Sequence, residues 1–260
     1  MRISLIVLSL VAALTTANAA NAEQRVAFVV GNGAYKNVPK LDNPVDDANA
    51  MASLLRSVGF DVIEGTDLGR DAMTERLLEF GKKAQRADVA VFYYAGQGIA
   101  IDGTNYLLAT DADIKSEMDV KLGAAIDIDL ALDQTMGDAK VKLVFLDTSR
   151  SNPFASSSGT KPSRTVAVPS GLPEMKSGEN TLIGFATGPG QTALDGAKGA
   201  HSPFTKALLA NIAVSGVEIQ QAMSRVRAQV SDETNGRQSS WGRSNLSGPV
   251  YLNPLPAKNK

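Results

Sequence analysis

The sequence predicts an α/β fold in which helices cover both faces of a mostly parallel central sheet. Short segments of almost continuous apolar residues, such as "RVAFVV" at 25–30 and "VAVFYYA" at 89–95, are typical of strands that are buried on both faces. Longer segments with the helical spacing of apolar residues separate these strands, as in "NPVDDANAMASLLRSVGF" at 43–60. Strands and helices that alternate in this way form parallel sheets, because each helix carries the chain back to the starting edge.

Each element has its own local signal along the chain. Gly31 follows the first apolar segment, and Gly59 stops the first helical pattern. The pair Asp102–Gly103 lies between two apolar segments and predicts a β-hairpin. In chain order, the pattern predicts strands at 25–33, 61–65, 88–96, 140–149, 181–188 and 248–252, and helices at 43–60, 70–87, 127–137, 202–214 and 218–230.

The composition is that of an ordinary globular protein, and it excludes several kinds of site. The chain has 260 residues and a formal net charge of −1, which gives no electrostatic reason to expect binding to nucleic acid or to an anionic membrane surface. It contains no cysteine and a single histidine, His201, which excludes disulfides, thiolate zinc sites, cysteine nucleophiles and histidine-rich metal sites. We therefore expect neither a metal ion nor another cofactor.

The N-terminal segment, residues 1–22, predicts a signal peptide. Arg2 provides the positive start, the apolar stretch that follows is short for a bilayer span, and small residues place a cleavage site after Ala19 or after Ala22. An uncleaved N-terminal anchor is the alternative interpretation. We expect an exported protein, periplasmic or secreted, whose mature part has no membrane span.

Residues 23–260 predict one domain. Within it, residues 155–180 interrupt the alternation of strands and helices, since they are rich in Ser, Gly and Pro. Strands of the same sheet are predicted on either side of this segment. We therefore expect a long, flexible and exposed loop inside the domain, and not a linker between domains.

Side chains capable of chemistry lie where the predicted strands end. In an open parallel sheet, ligands bind beyond the carboxyl ends of the strands. Gln97 stands there between two glycines, where a catalytic side chain would be well placed, but an amide has no proton to exchange near neutral pH. The candidates at these ends are Asp46, Asp47, Gln97, Asp147, Ser149 and Arg150.

Ser149 is a candidate nucleophile that lacks a base. A serine hydroxyl needs a neighbouring base to take its proton, and Gln97 cannot fulfil that role. Asp47 and Asp147 remain open to two interpretations, since they could be two acidic groups of a hydrolase or a charged pocket that binds a cation.

Ordered motifs along nearly the whole mature chain resemble the bacterial members of the caspase and metacaspase family of cysteine peptidases. They include "LDNPVDDANAMASLLRSVGFDV", "VFYYAGQGIAIDGTNYLLATDA", "LVFLDTSRSNPF" and "GFATGPGQTALDG", in this order. The resemblance implies a caspase-like three-layer α/β/α sandwich with a mostly parallel central sheet, and it relates the chain to cysteine endopeptidases.

The sequence departs from the family pattern at both catalytic positions. The family motif Tyr-Tyr-Ala-Gly-His-Gly carries the histidine base, and Gln97 takes that position here. The family motif Leu-Asp-Ala-Cys-Arg carries the cysteine nucleophile, and Ser149 takes that position. We therefore expect no active catalytic residue, and a pseudoenzyme that binds a peptide or protein partner. The alternatives are an active endopeptidase of Arg or Lys specificity that uses Ser149, and an interaction domain whose groove is vestigial.

The resemblance also implies a pocket for a basic side chain of the ligand. Metacaspases receive a basic substrate residue at acidic positions matched here by Asp47 and Asp147, and "GQTALD", which ends at Asp195, resembles the loop near that pocket. Two of these acids also have structural interpretations: Asp47 as a charge that complements a helix N-terminus, and Asp147 as a carboxylate satisfied by backbone donors. His201 is interpreted as a solvated loop residue before a helix, with replacement of the missing base as the alternative.

Overall fold

The computed structural model describes residues 23–149, 175, 178–188, 191 and 193–256, and its central feature is a mixed sheet. The strands are β1 (Arg25–Gly31), β2 (Asp61–Thr66), β3 (Val89–Ile101), β4 (Thr104–Leu107), β5 (Ile126–Asp127), β6 (Val141–Ser149), β7 (Thr181–Phe185) and β8 (Trp241–Ser244). The main path through the sheet runs β2-β1-β3-β6-β7-β8, with parallel neighbours as far as β7 and an antiparallel β8 at the edge. The predicted, mostly parallel sheet is thus confirmed.

Helices cover both faces of this sheet, which confirms the three-layer α/β/α arrangement. They are α1 (Pro44–Ser57), α2 (Arg70–Ala84), α3 (Glu117–Asp119), α4 (Ile128–Met136), α5 (Pro203–Asn211) and α6 (Ile219–Glu233), and a π-helical turn, Val120–Ala124, follows α3. Helices α1, α5 and α6 share one hydrophobic cluster with Tyr93 of β3, whereas α2 and α4 share a second cluster with its neighbours Phe92 and Tyr94. Successive strand side chains point to opposite faces, so β3 contributes to both clusters.

The predicted hairpin at Asp102–Gly103 is present. Strand β3 continues beyond the main sheet and pairs with β4 in antiparallel register. Both turn residues have a positive φ, 49° for Asp102 and 83° for Gly103, as a tight hairpin turn of this kind requires. Strand β3 is therefore 13 residues long, and Gln97 lies inside it and not beyond its end.

The last predicted strand, 248–252, is wrong. Val250 and Leu252 are buried there, but the segment is not part of the sheet. Ile219 N donates to the Val250 carbonyl at 2.8 Å. Arg25 Nη1 donates to the Leu252 carbonyl at 2.6 Å. The edge strand is β8, whose sequence "WGRS" lacks an apolar alternation and is specified by its pairing with β7, a tertiary effect.

Two predicted segments lie wholly or mostly outside the described residues: the signal peptide, 1–22, and the loop, 155–180. Within that loop Gly178 and Glu179 are exposed, as predicted. Met175 is instead buried in the cluster shared with α2 and α4, because its side chain is large and apolar. Among the described residues, no helix combines the length and the apolar character that a bilayer crossing needs.

Candidate functional site

The residues predicted at the strand ends come together at one edge of the sheet. Strand β3 lies between β1 and β6, and Gln97 of β3 is paired directly with Ser149 of β6. Asp147 precedes Ser149 by two positions on the same strand. Asp47 lies in the first turn of α1, the helix that follows β1. Parallel pairing explains this convergence, since the carboxyl ends of parallel strands meet at the same edge.

The backbone of Gln97 is held by two buried tyrosines. The Gln97 N–H donates to Tyr35 Oη at 2.7 Å, and Tyr94 Oη donates to the Gln97 carbonyl at 2.9 Å. Gly96 has a φ of 155°, and a Cβ atom there would lie 2.6 Å from Tyr35 Oη and 2.7 Å from Tyr94 Oη. Only glycine fits between these hydroxyls, which explains the first of the two glycines beside Gln97. We call Gly96, Gln97, Tyr35 and Tyr94 the Gln97 mount.

The Gln97 side chain is buried, with 1 % of the residue exposed. Its Nε2 atom lies 3.5 Å from the Pro39 carbonyl, at the limit of hydrogen bonding, and its Oε1 atom has no hydrogen-bond partner among the described residues. A buried polar atom without a partner costs about 1–3 kcal/mol. The peptide groups of residue 97 are therefore well hydrogen-bonded, whereas its side chain is not.

Asp147 accepts hydrogen bonds from two hydroxyls at the start of α5. Thr205 Oγ1 donates to Asp147 Oδ2 at 2.6 Å, and Ser202 Oγ donates to the same oxygen. Ser202 is the N-cap of α5, and its hydroxyl also accepts from Thr205 N at 2.9 Å. The carboxylate thus stabilises the N-terminus of α5, in line with the structural interpretation. Both of these donors are hydroxyls, whereas the structural interpretation named backbone donors.

Asp47 is buried in α1 and contacts the chain's single histidine. His201 Nδ1 lies 2.7 Å from Asp47 Oδ1, and Ser202 N donates to Asp47 Oδ2 at 3.4 Å. Burial raises the pKa of Asp47 to about 8, and the negative charge of Asp147 acts in the same direction. Asp47 therefore keeps its proton near neutral pH.

Asp47, Asp147 and Asp195 line one narrow cavity, which we call the acidic cavity. Its empty volume is about 240 Å³, with room for about one water molecule. Asp195 is half-buried, and burial raises its pKa. The negative charges of Asp147 and Asp195 both act to raise the pKa of Asp47. The rest of the wall is formed by Leu41, Pro44, Ala95, Gly96, Ala193 and Leu194.

Asn43 holds the loop that carries Asp195 against the start of α1. Its Nδ2 atom donates to the carbonyls of Asp195 at 2.5 Å and of Ala197 at 3.0 Å. Its Oδ1 atom accepts from Gly199 N at 3.1 Å. Because the same loop leads into His201, one buried amide helps to place both the third acid and the imidazole.

The sequence predicted the acids of this site but not their partners. His201 is a partly exposed loop residue before α5, as interpreted, but it also contacts Asp47. The order Ser202-Pro203 is a recognisable helix start. Nothing in the sequence, however, shows that the Ser202 hydroxyl reaches Asp147 on a distant strand. Both contacts join segments more than 50 residues apart.

The remaining candidates and cavities add no side chain to this site. Asp46 is exposed, Arg150 lies outside the described residues, and only the backbone of Ser149 is described. A wider cavity of about 590 Å³ between α6 and β8 has none of the predicted candidates in its wall. In the described part of the chain, no group of three or more His, Cys, Asp or Glu residues is arranged to hold a metal ion.

The sheet order and the flanking helices define a three-layer α/β/α domain with a mostly parallel central sheet. The caspase domain family matches residues 24–251, so the chain belongs to that family. Mucosa-associated lymphoid tissue lymphoma translocation protein 1 of Homo sapiens and its homologue in Mus musculus are each 32 % identical to this chain over 91 residues. That stretch is 35 % of this chain and 11 % of each relative, so the match covers only a small part of their length.

Proposed function

We propose that the protein is an exported caspase-type domain that binds a peptide or protein partner without cleaving it. The observation that carries this proposal is the pairing of Gln97 with Ser149 on β3 and β6. The family motifs carry the histidine base and the cysteine nucleophile, and Gln97 and Ser149 take the matching places in the motifs of this sequence. An amide cannot accept the proton that a hydroxyl must release, so the two residues do not form a base and nucleophile.

The size of the expected loss of turnover favours binding over catalysis. In a serine peptidase of another fold, removal of the serine or the histidine alone lowers turnover about 10⁶-fold. A serine hydroxyl is also far less ionised near neutral pH than a cysteine thiol, whose pKa is about 8.5. Replacement of both family residues leaves the cavity beside them as the feature that can still act on a peptide.

The acidic cavity supports a basic side chain as the recognised feature of the partner. A Lys or Arg side chain there would gain charge-assisted hydrogen bonds, worth about 1.5–3 kcal/mol each. The cavity has room for about one water molecule, so the loop at Asp195 has to move outward when such a side chain enters.

The contact between His201 and Asp47 favours a second candidate, an Arg- or Lys-specific endopeptidase that uses Ser149. In serine peptidases a carboxylate bonded to Nδ1 orients the imidazole and leaves Nε2 for the nucleophile. Asp47 meets His201 in the same way, through Nδ1 at 2.7 Å. This candidate requires His201 Nε2 to reach the Ser149 hydroxyl, which lies outside the described part of the structure.

One experiment separates these candidates from a vestigial groove. Purified mature protein is mixed with fluorescein-labelled peptides that contain Arg, Lys or Asp, with and without calcium. Fluorescence anisotropy measures binding and mass spectrometry measures cleavage. We expect the Arg and Lys peptides to bind, the Asp peptide not to bind, and all three to stay intact. Cleavage that is abolished by Ser149→Ala would establish the endopeptidase, and binding of no peptide would establish the vestigial groove.

Export is part of the proposal and rests on residues 1–22. Mass analysis of the protein from periplasmic or secreted fractions should show a mature N-terminus at Ala20 or Glu23. A full-length form that begins at Met1 and stays in the cytoplasm would contradict export, without affecting the proposed binding.

A further inference from the structure

The wide cavity between α6 and the last two strands of the sheet, β7 and β8, has the size of a small-molecule site. Its empty volume is about 590 Å³, and such sites measure about 300–1,000 Å³. We infer that this α6–β8 cavity binds a small organic carboxylate with a short apolar chain. The inference goes beyond the proposed function, because the described walls of this cavity and of the acidic cavity share no residue.

Two paired glycines open the space on the sheet side. Gly184 of β7 lies directly opposite Gly242 of β8 in antiparallel register, and such partners point to the same face of the sheet. A Cβ atom at Gly184 would lie 2.8 Å from the Met223 Cε atom of α6, so this is the face that α6 covers. Because neither position carries a side chain, the sheet leaves a gap beneath α6.

One side of α6 forms the opposite wall of the cavity. Its four wall residues follow the spacing i, i+3, i+4, i+7, which places them on one side of a helix: Gln220, Met223, Ser224 and Arg227. Leu182 of β7 lines the cavity as well. The wall therefore combines apolar side chains with amide, hydroxyl and guanidinium groups, as small-molecule sites do.

Arg227 brings a positive charge that no described acid neutralises. Its Nε atom donates to the Ser240 carbonyl at 3.1 Å, which holds the guanidinium against the segment that leads into β8. Among the residues that the structure describes, its two Nη atoms make no hydrogen bond or ion pair, and no Asp or Glu lines the cavity. Both Nη groups can thus donate to the two oxygens of one carboxylate.

The charge and the apolar surface of the wall determine the class of ligand. Arg243 also lines the cavity, but it is paired with Ile183, which belongs to the cluster shared with α2 and α4. Strand side chains alternate between faces, so the Arg243 side chain points away from α6. One guanidinium above Leu182 and Met223 matches a single negative charge on an apolar chain better than a phosphate, which carries nearly two charges.

Binding of isocaproate, a branched six-carbon carboxylate, tests the class of ligand. Isothermal titration calorimetry of the mature protein near neutral pH compares it with isocaproamide, which lacks the charge, and with acetate, which lacks the apolar chain. We expect the wild type to bind isocaproate and to bind either analogue at least about tenfold more weakly. Absence of isocaproate binding, or equal binding of all three compounds, would overturn the inference.

A charge-neutral variant on α6 tests the role of Arg227. Arg227→Gln should weaken isocaproate binding about tenfold to a hundredfold, the range of one charge-assisted hydrogen bond. Arg225→Gln is the matched control, because Arg225 is exposed on the same helix but is not part of the described wall. It should stay within about twofold of wild type. Equal losses in the two variants would show a general effect of charge and no specific site.

Protection of an introduced thiol tests the location. The chain has no cysteine, so Ser224→Cys and Gln221→Cys each introduce a single reactive thiol on exposed positions of α6. Only position 224 is in the described wall. Saturating isocaproate should slow alkylation by N-ethylmaleimide in Ser224→Cys and leave Gln221→Cys unaffected, as measured by mass spectrometry. Binding without this difference would place the ligand elsewhere and overturn the site, while the proposed acidic cavity would be untouched.

Discussion

The Gln97 mount and the acidic cavity are neighbours at the same sheet edge, yet they are built in opposite ways. In the mount, both peptide groups of Gln97 bond to tyrosine hydroxyls, while its side-chain Oε1 has no partner among the described residues. In the cavity, the hydrogen-bonded groups are the side-chain carboxyl oxygens of Asp47 and Asp147. The difference teaches that the bonds that hold residue 97 do not depend on the side chain that it carries. The neighbouring acids, in contrast, are still integrated into the fold.

Restoring the family side chains on β3 and β6 is expected to have the largest effect. The double change Gln97→His and Ser149→Cys places an imidazole and a thiol at paired positions. We expect hydrolysis of fluorogenic Arg and Lys peptides to rise about 10²–10⁴-fold above wild type, the usual contribution of a positioned base. Each single change should give much less, because the two groups act as one unit.

A change in the acidic cavity tests whether the peptide preference of the double mutant depends on that cavity. Asp147→Asn in the double mutant should weaken the preference for Arg and Lys over Asp peptides, because it removes one negative charge from the cavity wall. A folded double mutant that is inactive on every peptide would show that the mount no longer presents its side chain productively.

A side chain at position 96, beside the two tyrosine hydroxyls of the Gln97 mount, is expected to have the next largest effect. Gly96→Ala puts a Cβ atom within 2.7 Å of two tyrosine hydroxyls, so the free energy of unfolding should fall by about 2–4 kcal/mol in urea denaturation. Gly103→Ala is the matched control, since Gly103 also has a positive φ but nothing within 4 Å of its added Cβ atom. It should cost only about 1 kcal/mol. Equal losses would argue against the tyrosine contacts as the cause.

The buried carboxyl group of Asp47 should make the free energy of unfolding depend on pH. The pKa of Asp47 is about 8 in the folded protein, against about 3.9 for an unfolded Asp. Between these values the folded state holds an extra proton, so the free energy of unfolding should fall as pH rises from about 4 to about 8. The slope is at most about 1.4 kcal/mol per pH unit.

Asp47→Asn should remove this part of the slope. Other titratable groups face the same carboxyl, so the informative quantity is the difference between the two unfolding curves across the pH range. The groups are Asp46, Asp147, Asp195 and His201. Parallel curves for wild type and variant would show that Asp47 ionises normally in the folded protein.

The smallest expected effect has the opposite sign. Gln97→Met keeps the length of the side chain and removes an unpaired buried oxygen, so the free energy of unfolding should rise by up to about 1 kcal/mol. Gln238 is the matched control, because it is also buried but accepts from Leu194 N at 2.9 Å and donates to the Ala186 carbonyl at 3.0 Å. Gln238→Met should cost about 1–3 kcal/mol. A loss of stability in both variants would mean that the Gln97 amide is satisfied after all.

Local signals explain which parts of the molecule could be predicted. The buried strands and amphipathic helices each carry their pattern in adjacent residues, and the rule that ligands bind at strand ends then identifies Asp47, Gln97 and Asp147. Strand β8 and the partner of His201 could not be predicted in the same way. Each depends on a contact between distant segments, Trp241 with Phe185 in one case and His201 with Asp47 in the other.

The way in which the mount is held has an evolutionary consequence. The tyrosine hydroxyls bond to the peptide N–H and carbonyl of residue 97, and these groups are the same whichever amino acid stands there. Folding therefore does not select for a histidine at this position. Under the proposed function, exchange of the family's histidine for an amide leaves these bonds intact, and only selection on cleavage itself would keep a histidine in place.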